Sequence, residues 1–247
     1  MQAVEELLAA AEAEPGLHDY GEDSFRVGLE RLVRALDEEA TLTEVGVGAL
    51  ERLIVGRLVQ RLEIEDWYRR HPEIDDEPIQ APLIGLGLPR TGSTALAFLL
   101  AEDPAARSLR RFEGSVHCPP PSTVEGPDPR IAAAEAEIAM MAELAPRMAA
   151  LVPSSATGPY ECQDLMGLDF KSQYFQAYAH IPSYSQWLMY EADLTSTYRY
   201  ERRVLKLLQW GSPAKPWRLK CPSHLAYLGA LDAAFPDARF VMTHRDP

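Results

Sequence analysis

The segment from Gly87 to Thr94, with the sequence GLPRTGST, combines residue types that bind a phosphate-like anion. Its two glycines, Gly87 and Gly92, have the spacing of a P-loop, and Ser93 begins the helix predicted to follow. Backbone N–H groups at a helix start, together with the positive end of the helix dipole, attract an anion. Arg90 adds a guanidinium, which makes two parallel hydrogen bonds to an oxyanion. The predicted ligand contacts are Arg90, Thr91, Gly92, Ser93 and Thr94.

The residue after the second glycine separates this loop from that of ordinary nucleoside triphosphatases. A Walker P-loop has lysine at that position, and this chain has Ser93. The cation lies inside the turn instead, at Arg90, which argues against an ordinary ATPase or GTPase. Dinucleotide binding is not indicated either, because Arg90 occupies the place of the third glycine in GxGxxG.

Several strands are predicted to position this loop. The apolar run from Leu83 to Leu88 is typical of a central parallel strand that is covered on both faces. Trp217–Lys220 and Arg239–Thr243 are predicted as later strands. Parallel sheets bind ligands at the carboxyl ends of their strands. The sequence therefore predicts an α/β fold, a P-loop-like parallel sheet flanked by helices, with an N-terminal helical region.

The N-terminal part of the chain is predicted to be helical. Apolar residues recur at helical spacing from Phe25 to Leu36 and from Val47 to Leu62. The acidic, proline-containing segment Pro72–Pro82 then predicts a linker. We therefore predict a helical lead-in region over residues 1–78 and a P-loop-like domain over residues 79–247.

The middle of the chain is predicted to contain further helices and an aromatic segment. Ile131–Leu151 is predicted as a helix that breaks at Pro146, because proline lacks a backbone N–H. Ser223–Ala234 is predicted as another helix. Aromatic and polar residues are concentrated between Tyr160 and Trp187. This mixture suits either a binding cleft for an apolar or ring-bearing molecule or the packing of an ordinary core.

Composition and charge limit the classes of partner. The formal net charge of −13 over 247 residues argues against a nucleic-acid or anionic-membrane binder. No segment is apolar enough to span a bilayer, and the acidic N-terminus lacks the features of a signal peptide. Three widely spaced cysteines, Cys118, Cys162 and Cys221, suit a reducing compartment and give no zinc pattern. A soluble, cytoplasmic protein is expected.

Two segments in combination resemble one enzyme family. PRTGST (Pro89–Thr94) and FVMTHRDP (Phe240–Pro247) resemble the sulfotransferases that use 3′-phosphoadenosine 5′-phosphosulfate (PAPS). WRLKCPSHL (Trp217–Leu225), GEDSFRVGLERL and DWYRRHPEI are similar to segments of a bacterial-type branch of that family. The resemblance covers most of residues 20–247.

The resemblance implies roles for individual residues. Arg90–Thr94 matches the loop that binds the 5′-phosphosulfate, with Arg90 where other branches have a catalytic lysine. Arg245 matches the arginine that holds the 3′-phosphate. In the family a serine further along joins that phosphate, and this sequence ends before it. The resemblance therefore implies a chain without the C-terminal strands and helices of the family. It also implies PAPS as cosubstrate and a small-molecule, lipid or carbohydrate acceptor.

The general base is predicted from the family and from position. Glu161, in PYECQD, is the first candidate, since several branches use a carboxylate or histidine from the middle of the chain. His224 is the second, and Lys220 at a strand end is predicted to point at the phosphosulfate. No metal is predicted, because a sulfuryl group carries one negative charge and a terminal phosphoryl group carries two.

Two other functions are compatible with these residues. The first is a kinase-like phosphotransferase whose lysine comes from elsewhere, against which the missing Walker lysine counts. Turnover of ATP that requires magnesium would favour it. The second is a non-catalytic binding protein on the same fold, with the apolar helices near residues 25–62 as a partner surface. This binding-protein hypothesis would be favoured if Arg90→Ala left every measurable property except partner binding unchanged.

Overall fold

The sheet of this protein has four parallel strands. The structure, a computed structural model, describes residues 1–151 and 154–246. The strands are β1 (Leu83–Leu86), β2 (Arg107–Ser108), β3 (Trp217–Lys220) and β4 (Arg239–Met242). Their spatial order is β2-β3-β1-β4, and every pairing is parallel. The α/β fold predicted from the sequence is confirmed, with β1 between β3 and β4.

Eleven α-helices are found among the described residues. They are α1 (Val4–Ala13), α2 (Ser24–Glu38), α3 (Glu44–Arg70), α4 (Ser93–Ala101), α5 (Arg111–Ser115), α6 (Pro129–Leu144), α7 (Pro146–Leu151), α8 (Gln163–Met166), α9 (Pro182–Tyr190), α10 (Thr195–Gln209) and α11 (Leu228–Ala234). The predicted break near Pro146 separates α6 from α7. The prediction of one helix from Ser223 to Ala234 is wrong. Pro222–Ala226 is a 3₁₀ turn, and Tyr227, at φ −132° and ψ 33°, interrupts the helical path before α11.

The chain divides into two compact units. The first consists of Met1–Asp75 and Gln163–Val204, and the second of Asp76–Cys162 and Leu205–Pro247. The first unit is helical. The second contains the sheet and the predicted anion-binding loop, Gly87–Thr94. No helix in the described part of the chain is long and apolar enough to cross a membrane.

The core of the first unit combines apolar packing with buried ion pairs. Phe170, Phe175 and Tyr184 are fully buried there, so these members of the aromatic segment pack as core. The carboxylate of Asp169 is also fully buried. It accepts hydrogen bonds from Ser24 Oγ at 2.8 Å, Ser196 Oγ at 2.9 Å and Thr197 Oγ1 at 2.8 Å. Lys171 Nζ lies 3.0 Å from Asp169 Oδ2, so a cation and three hydroxyl groups together stabilise the buried carboxylate.

The core of the second unit fixes the strands that carry the candidate site. Helix α4 packs on β1 and β3. Trp217 at the start of β3 is buried, and its Nε1 donates to Gln209 Oε1 at 3.0 Å. Gln209 Nε2 in turn donates to Glu77 Oε2 at 2.8 Å. These bonds tie β3 to the end of α10 and to the segment that leads into β1.

Candidate active site

The anion-binding loop is held against the end of β4. Thr243 N donates to Leu86 O at 3.1 Å, and the hydroxyls of Thr91 and Thr243 lie 2.7 Å apart. A Cβ on Gly87, whose φ is +141°, would lie 2.6 Å from Thr243 Oγ1 and 2.8 Å from Thr243 O. Only glycine fits this close approach. The sequence did not indicate Thr243 as part of the loop, because strand order is not visible in a residue pattern.

The tip of the loop contains two residues in the left-handed region. Arg90 has a φ of +71° and Gly92 has a φ of +95°. A non-glycine residue in this region costs roughly 1–3 kcal/mol, and such residues cluster at ligand sites. Arg90 is exposed, and its Nη1 donates to Leu151 O at 3.3 Å. Gly92 is the N-cap of α4 and has no side chain with which to cap the helix. The start of α4 therefore keeps the anion-binding character expected of a helix N-terminus.

The side chain of Lys220, in β3, extends across the neighbouring strand β1 to the start of α4. Lys220 pairs with Gly85 in the sheet, and a Cβ on Gly85 would lie 3.1 Å from Lys220 Cγ. Lys220 Nζ donates to Thr94 Oγ1 at 3.3 Å. The side chain is 8% exposed, so its ammonium lies in a sheltered position beside the loop. In the sequence, Gly85 stands out only as part of an incomplete GxGxxG pattern; in the structure, its missing side chain leaves room for the lysine.

Glu161 forms an ion pair with Lys220. Its Oε1 accepts a hydrogen bond from Lys220 Nζ, and its side chain is 27% exposed. Two backbone bonds fix this segment at the carboxyl edge of the sheet. Cys162 N donates to Lys220 O at 3.2 Å, and Tyr160 N donates to Leu109 O at 2.8 Å. The structure thus brings Thr94, Lys220 and Glu161 together, from three separate parts of the chain.

His224 is fully buried within the 3₁₀ turn Pro222–Ala226. Burial, and to a smaller extent the positive charge of Lys220, lowers the pKa of His224 from 6.5 to about 3. The imidazole is therefore neutral at pH 7 and is a weak proton acceptor there.

We expect His224 to make the protein less stable as the pH falls from 6.5 to 5. In this range the unfolded histidine takes up a proton and the folded one, with its lowered pKa, does not. Linkage then lowers the free energy of unfolding by about 1.5 kcal/mol. Urea unfolding of the wild type and of His224→Gln at both pH values measures this, and the variant should lose that part of the pH dependence. His18→Gln, at an exposed histidine, is the control. Equal pH dependence in wild type and His224→Gln would contradict the expectation.

The residues after β4 lie at the same edge of the sheet. β4 is parallel to β1 and ends at Met242, so Arg245 follows its carboxyl end. Arg245 is exposed, as is His244, whose Nδ1 lies 3.9 Å from Asp246 Oδ1. Pro247 lies outside the described residues. Arg245 is therefore placed at the expected edge with its side chain accessible to a ligand.

Fold and site together define a class of protein. A parallel sheet carries a P-loop-like turn with arginine at its tip, and a second cation from β3 lies beside the helix start. Such an arrangement suits an α/β enzyme that binds and transfers an anionic group. The model of the sulfotransferase family matches residues 82–247, and the chain belongs to that family.

Two solved structures are similar over the whole chain. Sulfotransferase STF9 from Mycobacterium avium is 35% identical, with a TM-score of 0.90 over 100% of this chain. Sulfotransferase STF1 from Mycobacterium tuberculosis H37Rv is 34% identical, with a TM-score of 0.84 over 99% of this chain. The chain spans 64% of the length of STF9 and 67% of the length of STF1. No curated protein matches the chain.

Proposed function

We propose that this protein transfers a sulfuryl group from PAPS to a hydroxyl or amine of a small-molecule, lipid or carbohydrate acceptor. The observation that carries the proposal is the position of Lys220, whose ammonium lies beside Thr94 at the start of α4. With Arg90 at the loop tip, two cations flank the turn at which an anion binds. The proposal assigns the reaction to residues 79–247, with residues 1–78 as a helical lead-in region. It places the reaction in the cytoplasm, which the few, widely spaced cysteines favour.

The loop would bind the 5′-phosphosulfate. The N–H groups of Gly92, Ser93 and Thr94 and the hydroxyls of Ser93 and Thr94 would be the hydrogen-bond donors at the helix start. The hydroxyl of Thr91 donates instead to Leu88 O at 2.7 Å, so Thr91 would contribute through its backbone. Arg90 would stabilise the negative charge that develops on the leaving phosphate oxygen. Because a sulfuryl group carries a single negative charge, these donors and cations would be enough to stabilise the transferred group without a bridging metal ion.

Lys220 and Glu161 would act on the transferred group and on the acceptor. An anion bound at the loop attracts the ammonium of Lys220 and weakens its ion pair with Glu161. The carboxylate is then available to accept the proton of the acceptor as that acceptor attacks sulfur in line. The low pKa of His224 favours Glu161 over His224 as this base.

Titration with adenosine 3′,5′-bisphosphate tests the donor site directly. We expect the full chain to bind this nucleotide without metal, and Arg245→Ala to weaken the binding roughly 10- to 100-fold, because a charge-assisted hydrogen bond to phosphate is lost. Isothermal titration calorimetry gives the dissociation constants.

Arg239→Ala is the matched control for that titration. Arg239 is exposed like Arg245, but it lies at the amino end of β4, away from the loop. It should leave the affinity unchanged. Absence of nucleotide binding, or equal weakening by both substitutions, would refute the proposed donor site.

A further inference from the structure

A polar groove lies beside β2, one of the two edge strands of the sheet. Its volume is about 550 Å³, within the range of roughly 300–1,000 Å³ that small-molecule sites occupy. The side chains that line it include three cations and three hydroxyl groups: Arg107, Arg110, Lys215, Ser108, Thr157 and Ser212. These are donors suited to a hydroxylated anion.

The charges around the groove are not balanced. Among the described residues that line the groove, Glu113 is the one acidic residue, and it is 2% exposed. It is already bound, because Arg107 Nη2 donates to its Oε1 at 2.7 Å and Arg110 N donates to its Oε2 at 3.2 Å. The remaining positive charge is local, since the chain as a whole has a net charge of −13.

Two guanidinium groups at the groove repel each other. Burial lowers the pKa of Arg107, and the positive charge of Arg110 also lowers it. The negative charge of Glu113 raises the pKa of Arg107 but does not cancel these effects. The side chain of Arg107 is 16% exposed and bonded to Glu113, whereas Arg110 is exposed. An anion between them would relieve this repulsion and would bind Arg110 first.

The groove adjoins the segment that carries Glu161. Arg110 and Pro159 form an antiparallel bridge, and both line the groove. Glu161 follows Pro159 by two residues, at the carboxyl end of the sheet where ligands of such folds bind. The short segment from Pro159 to Glu161 therefore connects the groove to the candidate active site.

We propose that this groove binds a small hydroxylated anion, such as a sugar phosphate or a sugar acid, with Arg110 on its acidic group. Ser108, Thr157 and Ser212 would contact its hydroxyl groups. Where the proposed sulfotransferase function holds, this molecule is the acceptor, and the acidic group selects it among hydroxylated compounds. The groove and the anion-binding loop are then two anion sites with separate cations.

Glucose 6-phosphate is the probe, with glucose and inorganic phosphate for comparison. We expect it to bind the full chain more tightly than either, as measured by calorimetry at low ionic strength. Arg110→Gln should weaken the binding at least about 10-fold, since it removes a charge-assisted bond. Arg52→Gln removes an exposed guanidinium from α3 and should have no effect.

The outcomes separate this groove from the donor site. Binding of glucose 6-phosphate that depends on Arg110 and persists when adenosine 3′,5′-bisphosphate saturates the loop supports the groove. Absence of binding, equal weakening by Arg52→Gln, or competition with the nucleotide overturns it. If the nucleotide does not bind and the sugar phosphate does, the proposed function fails and the groove remains an anion site.

Discussion

Replacing Arg90 with alanine is expected to slow the proposed sulfuryl transfer from PAPS roughly 100- to 1,000-fold, as the loss of a preorganised donor at a developing charge does in other enzymes. Arg90 is held at the loop tip by its left-handed backbone and by the bond from Nη1 to Leu151 O. Its guanidinium is therefore positioned before the ligand arrives. The measurement is the initial rate at which saturating PAPS yields adenosine 3′,5′-bisphosphate, with water as the acceptor.

Two further variants separate charge from geometry in that experiment. Arg90→Lys keeps the charge and loses the two parallel hydrogen bonds, so an intermediate loss of about 10-fold is expected. Arg147→Ala, at an exposed arginine of α7, should leave the rate unchanged. A rate in Arg90→Ala equal to that of the wild type would exclude the role of Arg90 in the reaction.

Replacing Asp164 with alanine is expected to lower the free energy of unfolding by about 3–5 kcal/mol. Asp164 forms an ion pair with Arg57 inside the first unit, where the two side chains are 4% and 5% exposed. Burial alone would lower the pKa of Arg57, but the charge of Asp164 raises it overall. Removing the carboxylate leaves a buried cation without its counter-charge. Urea denaturation of both proteins measures the difference.

A double variant distinguishes the ion pair from simple packing. Replacing both partners, in Arg57→Met with Asp164→Leu, should restore most of the lost stability, because no buried charge is left uncompensated. Asp23→Ala removes an exposed partner of Arg26 and should cost less than about 1 kcal/mol. If Asp164→Ala costs no more than Asp23→Ala, the buried pair does not contribute to stability as we infer.

Much of the secondary structure was predictable from local patterns. Apolar runs marked β1, β3 and β4, and helical spacing marked α2 and α3. The two-residue strand β2 was not predicted, and α1 was covered only by the general prediction of a helical N-terminal region. β2 is too short for an alternating pattern, and its two residues join the sheet through β3.

The role of the aromatic segment could not be predicted from its composition. Phe170, Phe175 and Tyr184 are core residues of the first unit, whereas Tyr178 is 52% exposed. A cleft and a core use the same residue types, and only packing distinguishes them. Sequence distance is no guide either, because Gln163–Val204 packs with Met1–Asp75.

The class of the fold and the family could be predicted from the amino-acid sequence alone, as could the position of the loop that we propose binds an anion. These follow from short segments, since the glycines, the arginine and the hydroxyl groups of the loop are neighbours in the chain. Only the tertiary structure decided that Lys220 passes over Gly85 to reach Thr94, that Glu161 pairs with it, and that Thr243 supports the loop. The strand order β2-β3-β1-β4 creates these contacts. It is set by the packing of residues more than 50 positions apart, which no local pattern records.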